Sequence, residues 1–142
     1  MTAFLDTSTL TTVAEAFFIV ATRHPDKDCI CLPAMAGRAY HPDGKTWSYC
    51  DIAGQAKTLR DVYAAAGYGH GHRIALMFDN RPTFVVHWLA LNALGISVVP
   101  VNQDSTAHEI ATLLRRSYAS LAVVLPEREE LLGGAGGAVC RV

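Results

Sequence analysis

Residues 73–102, RIALMFDNRPTFVVHWLALNALGISVVPVN, decide the fold of this chain. They contain two short apolar runs, Ile74–Phe78 and Ile96–Val101, the second of which is rich in β-branched residues. Between these runs lies a longer apolar segment, Thr83–Leu94, and turn-forming residues separate it from both. A short β-rich run, a helix-length segment and a second β-rich run predict a βαβ unit. Its two strands are expected to be parallel, because a helix connects them.

The same alternation continues after Asn102. Thr106–Arg116 begins with a T-x-x-E capping box and predicts a second crossover helix. Leu121–Leu125 is an aliphatic run typical of a buried strand, Pro126–Leu132 fits a short helix, and Ala138–Val142 fits one more strand. We therefore predict a wound parallel sheet with right-handed crossovers.

The residues before the central unit predict an approach to it. Two capped helices are indicated, one after Thr12 and one after Ser48, and Gly67 would end the second. In chain order we expect a helix at 12–23, a strand at 28–32, a loop at 33–43, an extended segment at 45–47 and a helix from 48 towards 67. The chain thus divides into an N-terminal helix with short strands, residues 1–50, and βα repeats, residues 51–142.

The composition indicates a globular domain of ordinary size. With 142 residues, 51% of them hydrophobic, the chain can bury a core and is too apolar for a disordered tail. No apolar run reaches the roughly 18 residues that span a bilayer, and residues 1–12 lack the regions of a signal peptide. Scattered charges give a net charge of -1, which does not indicate binding to nucleic acid. We therefore expect a cytoplasmic protein without a transmembrane segment.

Four cysteines and six histidines are the residues that could indicate a disulfide framework or a metal site. Cys29 and Cys31 lie two apart on a predicted strand, which would place both side chains on one face. The spacing of the cysteines, and that of His70 and His72, fits none of the usual zinc patterns. We expect buried free thiols and histidines in turns, and a metal site is the alternative.

The placement of glycines excludes a dinucleotide-binding fingerprint. Such a fingerprint has its glycines after the first strand, where they open the helix. Here Gly67, Gly69 and Gly71 precede the strand that begins at Arg73. The glycine run at 133–137 contains no hydroxyl residue and no following lysine, so we interpret it as a loop.

The central helix is apolar around most of its circumference. His87 and Asn92 are the main interruptions of the segment Thr83–Leu94. A helix of this kind is expected to be buried on more than one side. A chain of this length has little material to bury it twice, so we expect either a piece of a larger protein or a weak homodimer with a second copy.

Short motifs also occur in a fixed order along most of the chain. They are Thr46–Tyr49 ahead of a helix, Gly67 with Gly71–Leu76, Asn80–Phe84, Leu89–Leu91 with Gly95, and Val98–Asn102. This ordered series resembles the N-terminal region of the adenylate-forming enzymes, a superfamily that includes acyl-CoA synthetases, aryl-CoA ligases, luciferases and peptide-synthetase adenylation domains. The resemblance covers about residues 10–125. His72 departs from it, since the family usually carries an acid before the arginine.

The resemblance implies a three-layer, doubly wound, Rossmann-like α/β subdomain with a parallel sheet. It also implies a reaction in which a carboxylic acid attacks the α-phosphate of ATP, releasing pyrophosphate, and a thiol such as coenzyme A then takes the acyl group. ATP, Mg and coenzyme A are therefore expected for the full-length enzyme, in a role such as fatty acid metabolism.

The residues that would perform this reaction do not occur in the sequence. The family uses a phosphate loop rich in Gly, Ser and Thr with a lysine, an aromatic-Gly-x-Thr-Glu segment, an aspartate for the ribose and a lysine from a small C-terminal domain; none is found in these 142 residues. We therefore expect an N-terminal fragment, inactive alone, with no catalytic or cofactor-binding residues of its own and the rest of the synthetase as its partner. A free-standing α/β interaction or small-molecule-binding module is the alternative.

Two residues are candidates for substrate binding, Asn80 and His87. Asn80 follows Asp79 at the carboxyl end of a predicted parallel strand, where open α/β sheets place ligands. We favour a different role for its side chain, as the cap of the next helix. His87 could line an acyl tunnel, but we favour a core histidine bonded to a carbonyl. Three further aromatic residues are expected in the core: Phe84, Trp88 and Tyr118.

Overall fold

The computed structural model describes residues 6–133 and the backbone of residues 138–141. The helices are α1 Val13–Arg23, α2 Tyr49–Ala65, α3 Pro82–Ala93 and α4 Ala107–Ser117, followed by a 3₁₀ helix at Pro126–Leu132. The strands are β1 Asp28–Leu32, β2 Lys45–Ser48, β3 Arg73–Met77, β4 Ser97–Pro100, β5 Leu121–Val124 and β6 Ala138–Arg141. The predicted order of elements is confirmed, with boundaries within one or two residues. Val142 and the predicted loop residues 134–137 lie outside the described residues.

Three of the four α-helices begin with a reciprocal capping box. In each box, the hydroxyl of the cap residue accepts a hydrogen bond from the backbone amide three residues later. The carboxylate of that later residue accepts a hydrogen bond from the backbone amide of the cap residue. The pairs are Thr12–Glu15, Ser48–Asp51 and Thr106–Glu109. The bond from the cap amide is the main cause that lowers the pKa of Asp51 and of Glu109, whereas the pKa of Glu15 is lowered chiefly by the amide of Thr11. The local sequence therefore fixes where these helices start.

The main sheet is parallel and has the strand order β4-β3-β5-β6. Ile74, the second residue of β3, pairs with Val98 on one side and with Leu121 on the other. This confirms the prediction that the three strands are parallel, with α3 and α4 as the crossover helices. β1 and β2 form a separate antiparallel hairpin, which the sequence did not predict.

Alternating residues of β3 send their side chains to opposite faces of the sheet. Ile74 and Leu76 pack in one core cluster with residues of α2 and α3. Ala75 and Met77 pack in another with residues of α4 and the 3₁₀ helix. Since a parallel sheet needs cover on both faces, this arrangement buries β5 and all of β3 except Arg73, while the edge strand β4 has exposed ends. It confirms the predicted three-layer, doubly wound α/β fold.

Helix α3 is covered on its second side by this chain itself. Ala90 and Leu91 pack towards the sheet, while Val86 and Leu89 pack against α1 and α2. Leu89 is 1% and Leu91 0% exposed. The expectation that the chain lacks the material to bury this helix twice is therefore wrong. A weak homodimer stays a prediction. The exposed apolar face of α3 that motivated this prediction is not present in the part of the chain that the structure describes.

Several predicted burial states are also corrected. Cys31 and Cys50 are exposed and Cys29 is half-buried, so the thiols are free but not fully buried. A β-bulge near Cys29 shifts the register with β2 and breaks the alternation that would have placed Cys29 and Cys31 on one face. Tyr118, expected in the core, is 80% exposed because it adopts the left-handed conformation that ends α4. The side chain of Cys140 lies outside the described residues.

No helix in the described part of the chain has both the length and the apolar character that crossing a membrane would require.

Candidate functional site

The site suggested by the fold lies at the carboxyl ends of the parallel strands. From β3 the chain passes through α3 to β4 on one side, and then through α4 to β5 on the other. The two crossover helices consequently lie on opposite faces of the sheet. In open α/β sheets, ligands bind outside the carboxyl ends of the strands where such a change of direction occurs.

A cleft of about 540 Å³ opens beside the ends of β3 and β4. The loop after β3 and the start of α3 form one wall, and the segment after β4 forms the other. The lining residues are Phe78, Asp79, Asn80, Phe84, Pro100, Val101, Asn102, Gln103 and Asp104. The volume is that of a small-molecule site, and the lining combines an aromatic floor with amides and carboxylates.

An ion pair orders the loop between β3 and α3. The guanidinium of Arg81 donates to both carboxylate oxygens of Asp79, with Nη2 to Oδ2 at 2.8 Å. It stacks on the ring of Tyr40, with 4.4 Å from Cζ to the ring centroid, and lies 3.9 Å from Glu127 after β5. The hydrogen bond with Asp79 is the main cause that raises the pKa of Arg81 above its ordinary value. One side chain thus joins segments that follow three different strands.

A second cavity, an apolar groove of about 310 Å³, lies between β1 and the start of α3. Its lining residues are Ile30, Leu32, Asn80, Arg81, Pro82, Phe84 and Val85. Asn80 and Phe84 also line the polar cleft. These two residues therefore form the wall that the cleft and the groove share.

Asn80 is at the predicted edge of the sheet, but it is not the helix cap. The cap position of α3 is Arg81, and no side chain bonds to the free amides there. Pro82 occupies the first turn and has no amide to satisfy, which removes part of the need for a cap. The Asn80 side chain is exposed and lines both cavities, while its carbonyl accepts a hydrogen bond from the Tyr40 hydroxyl at 3.3 Å.

His87 lies in the core and does not line the same cavities as Asn80. It is 3% exposed, and its Nδ1 shares a hydrogen bond of 2.7 Å with the Tyr63 hydroxyl rather than with a carbonyl. Its ring packs against Phe78 at 5.2 Å between centroids. Burial lowers the pKa of His87 to about 4, so the imidazole is neutral near pH 7. The two candidates are not brought together in one site.

The cleft residues do not fit the phosphates of a nucleotide. Its lining carries two carboxylates, Asp79 and Asp104, and no lysine or arginine. The guanidinium nearby, on Arg81, is already occupied by Asp79. A polyphosphate needs cations or free backbone amides around it, so we assign no step of phosphate chemistry to these residues. Among residues 6–133 and 138–141, no three His, Cys, Asp or Glu side chains are grouped to hold a metal ion.

Sequence reasoning missed Tyr40, Arg81 and the polar residues after β4. Asp79 and Arg81 follow a predicted strand and are separated by one residue, and this pattern could have indicated an ion pair in the turn. Tyr40 had no such signal, because it comes from a loop far away along the chain.

Comparison with known proteins gives a consistent result over nearly the whole chain. A family model described as AMP-binding enzyme matches residues 17–139. Crotonobetaine/carnitine–CoA ligase of Salmonella arizonae is 29% identical over 100 residues, which cover 70% of this chain and 18% of that protein. The ligase of the same name from Salmonella paratyphi B is 30% identical over 79 residues, 56% of this chain and 15% of that protein. The chain therefore spans less than a fifth of the length of these curated relatives.

Solved structures show the same fold. The N-terminal subdomain of Klebsiella oxytoca NpsA in complex with 3-hydroxyanthranilyl-AMSN covers 98% of this chain with a TM-score of 0.81 and 22% identity, over 33% of its own length. A fatty acyl CoA synthetase of Mycobacterium tuberculosis covers 92% of this chain with a TM-score of 0.80 and 18% identity, over 26% of its length.

Proposed function

Since the chain belongs to the family of AMP-binding enzymes, we propose that it is the N-terminal part of an acyl- or aryl-CoA synthetase. The whole enzyme would join a carboxylic acid to the α-phosphate of ATP with loss of pyrophosphate, and then transfer the acyl group to a thiol such as coenzyme A. The observation that carries the proposal is the family match over residues 17–139. The names of the curated relatives, CoA ligases, support the reaction class.

In this proposal the present residues contribute the scaffold and not the reacting groups. The sheet and its two helical layers would support one side of the active site, whose phosphate-binding residues lie elsewhere in the enzyme. ATP, Mg²⁺ and coenzyme A would be held by those other residues, in a cytoplasmic enzyme. The substrate would be a carboxylic acid, a class that includes the acids of fatty acid metabolism. Residues outside this chain would select which acid is used.

The first test of the proposal is the coding sequence after the codon for Val142. We expect the reading frame to continue into a loop rich in Ser, Thr and Gly with a lysine, followed by the nucleotide-binding segments of the family. A stop codon directly after Val142 would contradict the proposal and favour a free-standing binding module.

The second test is activity. With ATP, coenzyme A and a panel of carboxylic acids, residues 1–142 should release no pyrophosphate above background, while the full reading frame should release it with at least one acid. Pyrophosphate release that stays with the 142-residue chain through repeated purification would contradict the assignment of the chemistry to other residues. An inactive full-length protein that binds neither ATP nor coenzyme A would contradict the proposed enzyme.

A further inference from the structure

Residues 33–43, which with Gly44 connect β1 to β2, form a long loop on the outside of the molecule. All of its residues are exposed except Arg38 and Tyr40, which are half-buried. Loops of this kind lie on the surface and move more than the elements they join. We call residues 33–43 the strap.

The strap holds its own shape. The guanidinium of Arg38 donates hydrogen bonds to three carbonyls of the strap, those of Pro33 at 2.7 Å, Tyr40 at 2.8 Å and His41 at 2.5 Å. The amide of Met35 donates to the carbonyl of Pro42 at 2.8 Å, which ties one side of the strap to the other. A movement of the strap therefore need not break its internal structure.

The attachment of the strap to the parallel-sheet part of the molecule depends on one side chain. In the described part of the chain, every hydrogen bond and ring contact between the strap and the turn before α3 involves Tyr40. Its ring lies on Arg81 at 4.4 Å, and its hydroxyl donates to the Asn80 carbonyl at 3.3 Å. The strap's other ring contact outside itself, between His41 and Trp47 at 5.2 Å, is with its own hairpin.

The side chain that Tyr40 contacts, Arg81, is held in place without the strap. Arg81 is held in place by both oxygens of Asp79 and is 15% exposed, so its planar group presents a face to the ring. A guanidinium that stacks on an aromatic ring gains electrostatic attraction without losing its hydrogen bonds to a carboxylate. The hydroxyl bond to Asn80 is long for an O–H···O bond, so the stacking is the main contact.

We propose that the strap opens and closes as one unit and that the stacking of Tyr40 on Arg81 is its latch. In the closed state Tyr40 holds the backbone of Asn80, which belongs to the wall shared by the polar cleft and the apolar groove. Opening breaks these contacts and uncovers the face of Arg81, which lines the apolar groove, from the side of β1. This inference rests on the contacts of residues 33–43 and does not depend on the proposed enzyme activity.

The test is ¹⁵N relaxation of the 142-residue chain in the wild type and in Tyr40→Ala, Tyr40→Phe and Tyr118→Ala. In Tyr40→Ala we expect the backbone order parameters of residues 34–43, except Pro42, to fall together, from about 0.85 to below about 0.6. The Arg38 Nε–H signal should still be observed, because its carbonyl acceptors remain, although its chemical shift should change with loss of the ring 5.4 Å away. Tyr40→Phe keeps the ring and should resemble the wild type. Tyr118→Ala removes an exposed tyrosine elsewhere and should leave the strap unaffected.

Each other outcome contradicts part of the proposal. Unchanged order parameters together with unchanged ¹⁵N relaxation dispersion in the strap of Tyr40→Ala would show that Tyr40 is not the latch. Loss of the Arg38 signal together with the order parameters would show that the strap unfolds rather than opens as a unit. A Tyr40→Phe variant as mobile as Tyr40→Ala would show that the hydroxyl bond, and not the stacking, holds the strap.

Discussion

The buried polar side chains among the described residues all have a hydrogen-bond partner, and the type of partner differs from one to another. Arg81 is charged, as arginine is at neutral pH, and Asp79 lies against it and compensates the charge. His87 is neutral because burial disfavours the imidazolium, and Tyr63 forms a hydrogen bond with the neutral ring. Among the described side chains, no buried nitrogen or oxygen lacks a hydrogen-bond partner. Buried polar groups are retained at low cost under that condition.

The neutral state of His87 predicts a pH-dependent stability. Its pKa is about 4 in the folded chain and near 6.5 when unfolded, so the unfolded state binds more protons between these values. Stability is therefore fully present above about pH 6.5 and falls as the pH drops towards 4. Between pH 7.5 and 4.5 the loss from this residue is about 2–3 kcal/mol. His87→Gln should lose that part of the pH dependence in urea unfolding.

The control for this measurement is His24→Gln, which removes an exposed histidine. It should keep the pH dependence of the wild type. If His87→Gln and the wild type lose the same free energy of unfolding between pH 7.5 and 4.5, the buried neutral histidine is not what makes the protein sensitive to acid.

Gly95 is a position where the backbone requires glycine. It ends α3 with φ +68°, and a Cβ there would lie 2.9 Å from the ring of His70. Gly95→Ala should lower the free energy of unfolding by about 1–2 kcal/mol for the left-handed conformation alone. The matched control is Gly54→Ala in the middle of α2, where a Cβ meets nothing within 4 Å. It should raise stability by about 0.5–1 kcal/mol, and equal effects of the two substitutions in denaturant titrations would contradict this assignment.

Helix α3 organises the helical layer through its two polar residues as well as through its apolar ones. His87 bonds to Tyr63 of α2, and Asn92 Oδ1 accepts the amide of Ala14 at 2.9 Å. Ala14 lies in the first turn of α1, where amides have no partner within their own helix. The two polar residues of the apolar segment are therefore the ones that form hydrogen bonds from α3 to α2 and to α1.

Asn92→Ala should detach the first turn of α1. The Ala14 amide is at a fully buried residue and would lose its acceptor, which costs about 1–3 kcal/mol. We expect this loss in chemical unfolding, together with faster hydrogen exchange at the Ala14 amide. Gln55→Ala, at an exposed position of α2, should change stability by less than about 0.5 kcal/mol. Normal protection of the Ala14 amide in Asn92→Ala would argue against this role for Asn92.

The molecule as a whole is a sheet with two helical faces and a third element, α1, laid over the first face. Phe17 and Phe18 of α1 join the cluster that contains Val86 and Leu89 of α3. This layer lets a chain that spans less than a fifth of its curated relatives enclose its central helix. The exposed large apolar residues, such as Val62 and Tyr118, belong to different helices or their ends.

Removal of residues 1–24 should therefore expose α3. The shortened chain is expected to bind a dye that reports apolar surface, whereas residues 1–142 and a chain that lacks only residues 1–9 are not. The physical reason is the loss of the α1 side chains that cover Val86 and Leu89. Equal dye binding by all three chains would show that α1 does not provide this cover.

The sequence by itself determined the elements, their order and the parallel pairing of the strands. These follow from local information: the capping boxes at Thr12, Ser48 and Thr106, the glycine that follows each of two helices, and the apolar runs of β3, β4 and β5. The ordered motifs also indicated the family. Such signals survive in a linear sequence because each depends on residues a few positions apart.

The tertiary structure alone decided what covers α3, what holds His87 and which residues meet at the cleft. Tyr63 and His87 are 24 residues apart, Tyr40 and Asn80 are 40 apart, and Ala14 and Asn92 are 78 apart. No spacing rule connects residues at such distances, because the path of the intervening chain decides which of them meet. The assumption that 142 residues could not enclose an apolar helix failed for the same reason, since the position of α1 is a property of the packed molecule.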